Sequence, residues 1–118
     1  METIKLFDSE LKVMEILWRE GAVCAKRVGA IAAQEIGWNK NTTYTVIKKL
    51  IDKGAIRRDE PGFICTPLVS RDAARKEETA RLIDRLWGGS KKAFFAAFVD
   101  EHLSEEELQE LQSLIEKK

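Results

Sequence analysis

Apolar residues recur at three- and four-residue spacing after Asp8, where Leu11, Val13, Met14, Leu17 and Trp18 share one face of a helix. Asp8 has the short polar side chain of an N-cap, and Gly21 ends the run. A second, shorter helix follows Cys24, turns Val28, Ile31 and Ala32 inward, and closes around Ile36 and Gly37. Asn39 caps a third helix that runs to about Lys53, where Gly54 supplies a left-handed residue. Beyond Gly54 the period changes. The runs AIRRD and FICTPL read as short strands joined by Glu60-Pro61-Gly62, a turn signal. Pro67 ends or edges the second strand because it has no amide hydrogen to donate. Three short helices followed by a hairpin are the arrangement of a winged helix-turn-helix domain.

Ser70 opens a long helix whose expected apolar face is Thr79, Leu82, Ile83, Leu86 and Trp87, and Gly88-Gly89 breaks it. A fifth helix from about Ser90 carries Phe94, Phe95, Phe98 and Val99. A sixth begins with the capping box Ser104-Glu105-Glu106-Glu107 and continues through Leu108, Leu111, Leu114 and Ile115. These signals give a mainly α chain with a small β-hairpin wing: residues 1–69 form a winged-helix DNA-binding domain and 70–118 a three-helix dimerisation module. Three amphipathic segments of that length bury too small a fraction of their surface to be stable alone. A second copy of the same segment is the simplest cover, with Leu82, Leu86, Trp87, Phe94, Phe98, Leu108, Leu111 and Ile115 in the interface. The alternative is packing back on the N-terminal domain within one chain.

With 118 residues, 44% hydrophobic and 34% charged, the chain is one or two small globular units, and no internal period suggests a repeat array. No apolar run has the length of a bilayer span, and the start METIKLFDSE lacks a signal peptide's apolar core, so a cytoplasmic protein without membrane insertion is expected. The two cysteines, Cys24 and Cys65, form no CxxC pair and read as buried small hydrophobes. His102 is the single histidine, which leaves no His-based metal cluster to assemble. No cofactor, metal or enzymatic activity is expected. Glu105, Glu106 and Glu107 occupy the first turn of a helix, where acids favour the dipole, and read as capping residues rather than an acid/base cluster. Trp18, Trp38 and Trp87 read as core anchors, and Trp38 sets the angle at which the chain enters the third helix.

A net charge of zero hides an asymmetry: residues 1–70 hold 11 Lys/Arg against 9 Asp/Glu, and 71–118 hold 9 against 11. Between Trp38 and Arg58 the bases Lys40, Lys48, Lys49, Lys53, Arg57 and Arg58 face the single acid Asp52. On a helical wheel Thr43, Val46, Ile47, Leu50 and Ile51 of the third helix lie on one side. Asn41, Thr45, Lys48, Lys49 and Asp52 lie on the other, with Thr42 and Tyr44 flanking them. Lys40 stands in the first turn, where a cation opposes the helix dipole, and suggests an external anion. Asn, Thr, Tyr and Lys side chains at the leading end of a helix reach base edges in a major groove, as Asn41, Thr42, Tyr44 and Thr45 are placed to do. Lys40, Lys48, Lys49, Arg57 and Arg58 then lie over phosphates, and double-stranded DNA is the expected partner. Rival readings are a merely solvated face, a winged helix that docks on an acidic protein, and an activator rather than a repressor.

The segments ELKVMEILW, WNKNTTYTVIKKLIDKGAI, WGGS and LSEEELQEL together resemble the penicillinase-repressor (BlaI/MecI/CopY) family of winged-helix transcriptional regulators. The middle segment is similar to that family's W-S-P-K-T-x-x-T pattern followed by a hydrophobic residue, a basic position and K-G. The resemblance implies a homodimeric repressor on a palindromic operator, with helices four to six interlocked across the two-fold axis. It puts the operator-reading positions at Asn41, Thr42, Tyr44 and Thr45. Relatives commonly have Lys where this chain has Asn41, and Arg or Gln where it has Tyr44, which implies a different operator. The penicillin-responsive branch regulates antibiotic resistance. It is inactivated by a membrane sensor-linked protease pathway, whose matching bond here lies between Ala97 and Phe98; relatives have Asn before that Phe. The copper-responsive branch carries C-x-C motifs near its C-terminus, whereas this chain has no cysteine beyond Cys65.

Overall fold

The computed structural model of the chain describes residues 4–118, which divide into two compact units, one extending to Glu78 and one from Thr79 onward. In the first unit, helix α1 (Asp8–Glu20) buries Val13, Met14 and Leu17 as the three- and four-residue spacing predicts, with Leu11 and Trp18 half-buried at the edges of that face and Ile16 buried in addition. Its N-cap is Phe7 and not Asp8. The Phe7 carbonyl accepts the Leu11 amide at 2.8 Å, so the helical ladder starts one residue before the expected cap, and the Glu10 carboxylate, one turn in, accepts the Phe7 amide at 2.8 Å. Asp8 becomes the first helical residue, where its charge faces the positive end of the dipole. Glu10 is only 2% exposed, and the Lys53 ammonium that pairs with it also donates to the Lys5 carbonyl at 2.8 Å. The beginning of α1 is thereby pinned to the end of the third helix.

Strand β1 (Val23–Cys24) leads into α2 (Ala25–Glu35), which buries Ala25, Val28, Ile31 and Ala32. Gly37, at φ 83°, turns the chain while its amide donates back to the Ala32 carbonyl at 3.0 Å. Helix α3 (Lys40–Lys53) follows, capped by Asn39, whose side chain accepts the Thr42 amide at 2.8 Å. Thr43, Val46, Ile47 and Leu50 are buried, and Ile51 is half-buried. Gly54 closes α3 at φ 83°, ψ 14°, and a Cβ built there meets nothing within 4 Å. Gly54→Ala is therefore opposed by backbone conformation alone. A loss of about 1 to 2 kcal/mol is expected, read as a lower denaturant midpoint at unchanged m.

Strands β2 (Ile56–Asp59) and β3 (Ile64–Pro67) form the expected hairpin in the register Ile56↔Pro67, Arg57↔Thr66, Arg58↔Cys65 and Asp59↔Ile64. The antiparallel sheet has a third member, in the order β1-β3-β2, that the sequence did not reveal. Two residues are too few for an alternating pattern to register. Val23 pairs with Cys65, and Cys24 with Ile64. Burial pushes the Cys65 thiol up to about 11, so it stays protonated as a core side chain. Helix α4 (Arg71–Trp87) starts against α1: the Trp18 indole donates to the Val69 carbonyl at 2.8 Å, and Arg71 pairs with Glu15 at 2.9 Å. Ala74 completes the core of the first unit.

The second unit contains the rest of α4 with α5 (Lys91–His102) and α6 (Glu105–Glu116). Ser90 caps α5 by accepting the Ala93 amide at 3.1 Å, and Ser104 and Glu107 form the capping box of α6. Thr79, expected on the apolar face of α4, is exposed; Leu82 is half-buried and Ile83 is buried. Trp87 meets Phe94 edge-on at 5.0 Å between ring centroids, and Phe94, Phe98 and His102 continue as a row along α5. Leu86, Phe95, Phe98, Leu114 and Ile115 remain exposed, while Leu108 and Leu111 are half-buried. Phe95, Val99, Leu108, Leu111 and Ile115 line an open apolar groove between α5 and α6. Among the described residues no helix is long and apolar enough to cross a membrane.

Candidate nucleic-acid interface

The burial of Thr43, Val46, Ile47 and Leu50 forces the opposite face of α3 outward. Asn41, Thr42, Thr45, Lys48 and Lys49 are exposed there, with Lys40 in the first turn. A shallow trough runs along this face, lined by Asn41, Thr42, Thr45 and Lys49 together with Ser9 and Trp38. Ser9 was not anticipated as part of the site, because only the packing of α1 brings it beside α3. The Thr45 hydroxyl donates to the Asn41 carbonyl at 2.9 Å, which commits its hydrogen and leaves its lone pairs and methyl group facing out. Tyr44 is half-buried: its ring lies 6.1 Å from that of Phe63 and 5.5 Å from the Lys40 ammonium. Among the described residues, no carboxylate pairs with Lys40, Lys48 or Lys49. Their charges are available to an external anion.

The wing differs. Arg57 pairs with Asp59 at 2.9 Å, and Asp59 also accepts the Thr66 hydroxyl at 2.8 Å. Arg58 pairs with Glu60, and its guanidinium lies 3.7 Å from the centre of the Phe63 ring. Hydrogen bonds from Arg57 and Thr66 hold the Asp59 carboxyl below the ordinary carboxylate range, and those from Arg58 and the Phe63 amide do the same for Glu60. A depressed folded-state pKa means that the network is present at neutral pH and is lost as acid protonates the carboxylates. The wing arginines expected over phosphates thus already have partners. The signal was in the sequence, since residues two apart on a strand share a face, as Arg57 and Asp59 do. Among the described residues no group of three His, Cys, Asp or Glu side chains has a metal-holding arrangement.

Helix, turn, polar second helix and wing, in this order and packed on one core, define a winged helix-turn-helix module. A family model described as penicillinase repressor matches residues 6–117, and the chain belongs to that family of transcriptional regulators, which are not enzymes. The penicillinase repressor of Bacillus licheniformis is 25% identical over 115 residues, covering 95% of this chain and 90% of the relative. The methicillin resistance regulatory protein MecI of Staphylococcus aureus (strain N315) is 26% identical over 120 residues, covering 99% and 98%. Among solved structures, the monomeric form of Bacillus licheniformis BlaI in complex with the blaP half-operator superposes with a TM-score of 0.55. Its identity is 28%, and the match spans 62% of this chain and 93% of that one.

Proposed function

We propose that this chain is a cytoplasmic transcriptional repressor that binds a palindromic DNA operator as a homodimer, inserting α3 into the major groove. The observation that carries this reading is the outer face of α3: exposed amide and hydroxyl groups beside lysines that no carboxylate among the described residues neutralises. The likeness to a repressor solved on a half-operator supports it. Asn41, Thr42 and Thr45 offer hydrogen-bonding groups and a methyl group to base edges, with Tyr44 beside them, while Lys40, Lys48 and Lys49 lie over phosphates. Arg57 and Arg58 reach phosphates by exchanging their carboxylate partners for backbone oxygens.

Two copies are joined through α4 to α6, and the exposed apolar residues of α5 and α6 support this assembly. Each domain alone binds weakly, and tethering raises the effective concentration of the second. Half-sites are then about 10 bp apart, or a small multiple of that. Repression is relieved when the dimer is lost, which a cut between Ala97 and Phe98, inside α5, would achieve. A membrane sensor-linked protease pathway is the corresponding inducing route, and antibiotic-resistance genes are the natural targets.

Selection of bound duplexes from a random pool at two salt concentrations tests the reading, because it reports specificity, spacing and symmetry together. Lys48→Ala and Lys49→Ala are each expected to weaken binding to every sequence and to lower the salt slope by about one. Thr45→Ala is expected to cost about 1 to 3 kcal/mol on the selected site only and to relax preference at one base pair. Unchanged discrimination with Thr45→Ala would mean that another face enters the groove.

A further inference from the structure

Resting on the DNA-binding reading, we infer that Tyr44 is a positioning residue: its ring braces Phe63, and through Phe63 the wing and Arg58, against α3. Four side chains form an unbroken row. The Lys40 ammonium is 5.5 Å from the Tyr44 ring, that ring is 6.1 Å from Phe63, and the Arg58 guanidinium lies 3.7 Å from Phe63 on the wing. The row starts in the first turn of α3 and ends on β2, so it joins the two elements that meet the DNA.

Phe63 is held in place at a conformational cost. Its φ of 51° is left-handed, a region that disfavours a bulky side chain. Its carbonyl accepts the Ala25 amide at 2.9 Å, and its own amide donates to Glu60 at 3.2 Å. Backbone anchors on α2 and on the turn therefore hold the ring beside both Tyr44 and Arg58. Tyr44 is half-buried by these contacts, whereas Asn41, Thr42 and Thr45 on the same helix are exposed. The Tyr44 hydroxyl makes no hydrogen bond among the described residues, so the brace is made by the ring and does not need the oxygen. A tyrosine that reads a base edge by hydrogen bonding would depend on that oxygen. The two roles separate on a single atom.

The test compares Tyr44→Phe, Tyr44→Ala and Phe63→Gly with the wild-type full-length chain. Glycine suits the left-handed backbone at position 63, so Phe63→Gly removes the ring without adding backbone strain. Two readouts are taken: amide hydrogen exchange in the free protein, and affinity for the selected and for random duplexes at two salt concentrations. Tyr44→Phe is expected to keep the base preference, with affinity within about twofold and wing exchange unchanged, since it retains the ring. Tyr44→Ala and Phe63→Gly are expected to speed exchange of the β2 and β3 amides by about tenfold or more, while the core amides of α1 remain protected. Both should weaken binding to selected and random duplexes alike and make the salt slope shallower by about one, the contribution of Arg58. A shift of base preference with Tyr44→Phe, or unchanged wing exchange with Tyr44→Ala, overturns the brace. If the wild-type chain binds no duplex, the DNA-binding reading fails instead, and the exchange comparison still decides the role of Tyr44.

Discussion

Phe98→Asp is expected to give monomers in sedimentation and to reduce affinity for a two-half-site duplex by about a hundredfold or more, with half-site affinity unchanged. Phe98 is 41% exposed in the single chain although it belongs to an aromatic row, with Phe94 at 6.0 Å and His102 at 5.3 Å. Leu86, Phe95, Leu114 and Ile115 in the same unit are likewise exposed. A second copy that covers these residues would enclose an aspartate at position 98, and desolvating that charge is strongly unfavourable. The same aspartate remains hydrated in the monomer. Helix α5 keeps its Ser90 cap, so far-UV circular dichroism should be preserved and the loss assigned to assembly rather than folding. A dimer that survives this change rules out the proposed interface.

Lys53→Met should destabilise the first unit by roughly 3 kcal/mol, at the lower end for breaking a buried pair because Lys53 retains some solvent contact. For a unit of this size that is a fall of about 12 to 24 °C in melting temperature. The substitution leaves the Glu10 carboxylate, 2% exposed, with the Phe7 amide as its remaining partner. It also removes the ammonium 4.4 Å from the Phe7 ring and the hydrogen bond to the Lys5 carbonyl. Adding Glu10→Met should restore most of the lost stability, because the unpaired buried charge disappears. Thermal denaturation of the single and double variants measures both effects. A single variant as stable as the parent would show that water already reaches Glu10.

Most of the first unit was legible along the chain. The inner faces of α1, α2 and α3, the Asn39 cap and the stop at Gly54 depend on residues within four positions of one another. So do the capping box of α6 and the hairpin turn. Local spacing and backbone preference state such features almost directly. The resemblance in the Trp38 to Ile56 segment was readable for the same reason, since it lies on one helix and its flanks. The amphipathic pattern likewise marked the apolar residues of α5 and α6 that the single chain leaves exposed.

What could not be read from the chain arises between residues far apart in sequence. Strand β1 exists because Val23 and Cys24 meet Cys65 and Ile64 across the sheet. Glu10 is buried because Lys53, 43 residues later, neutralises it, and the same carboxylate accepts the amide of the N-cap residue Phe7. The helical wheel puts Tyr44 on the flank of the exposed face but does not name its neighbour, Phe63, which lies in the hairpin turn. Helix period and capping are one-dimensional properties, fixed by steps of a few residues. Whether a charge is neutralised or a ring is engaged depends on which surfaces the packed core brings together, and that is settled in three dimensions.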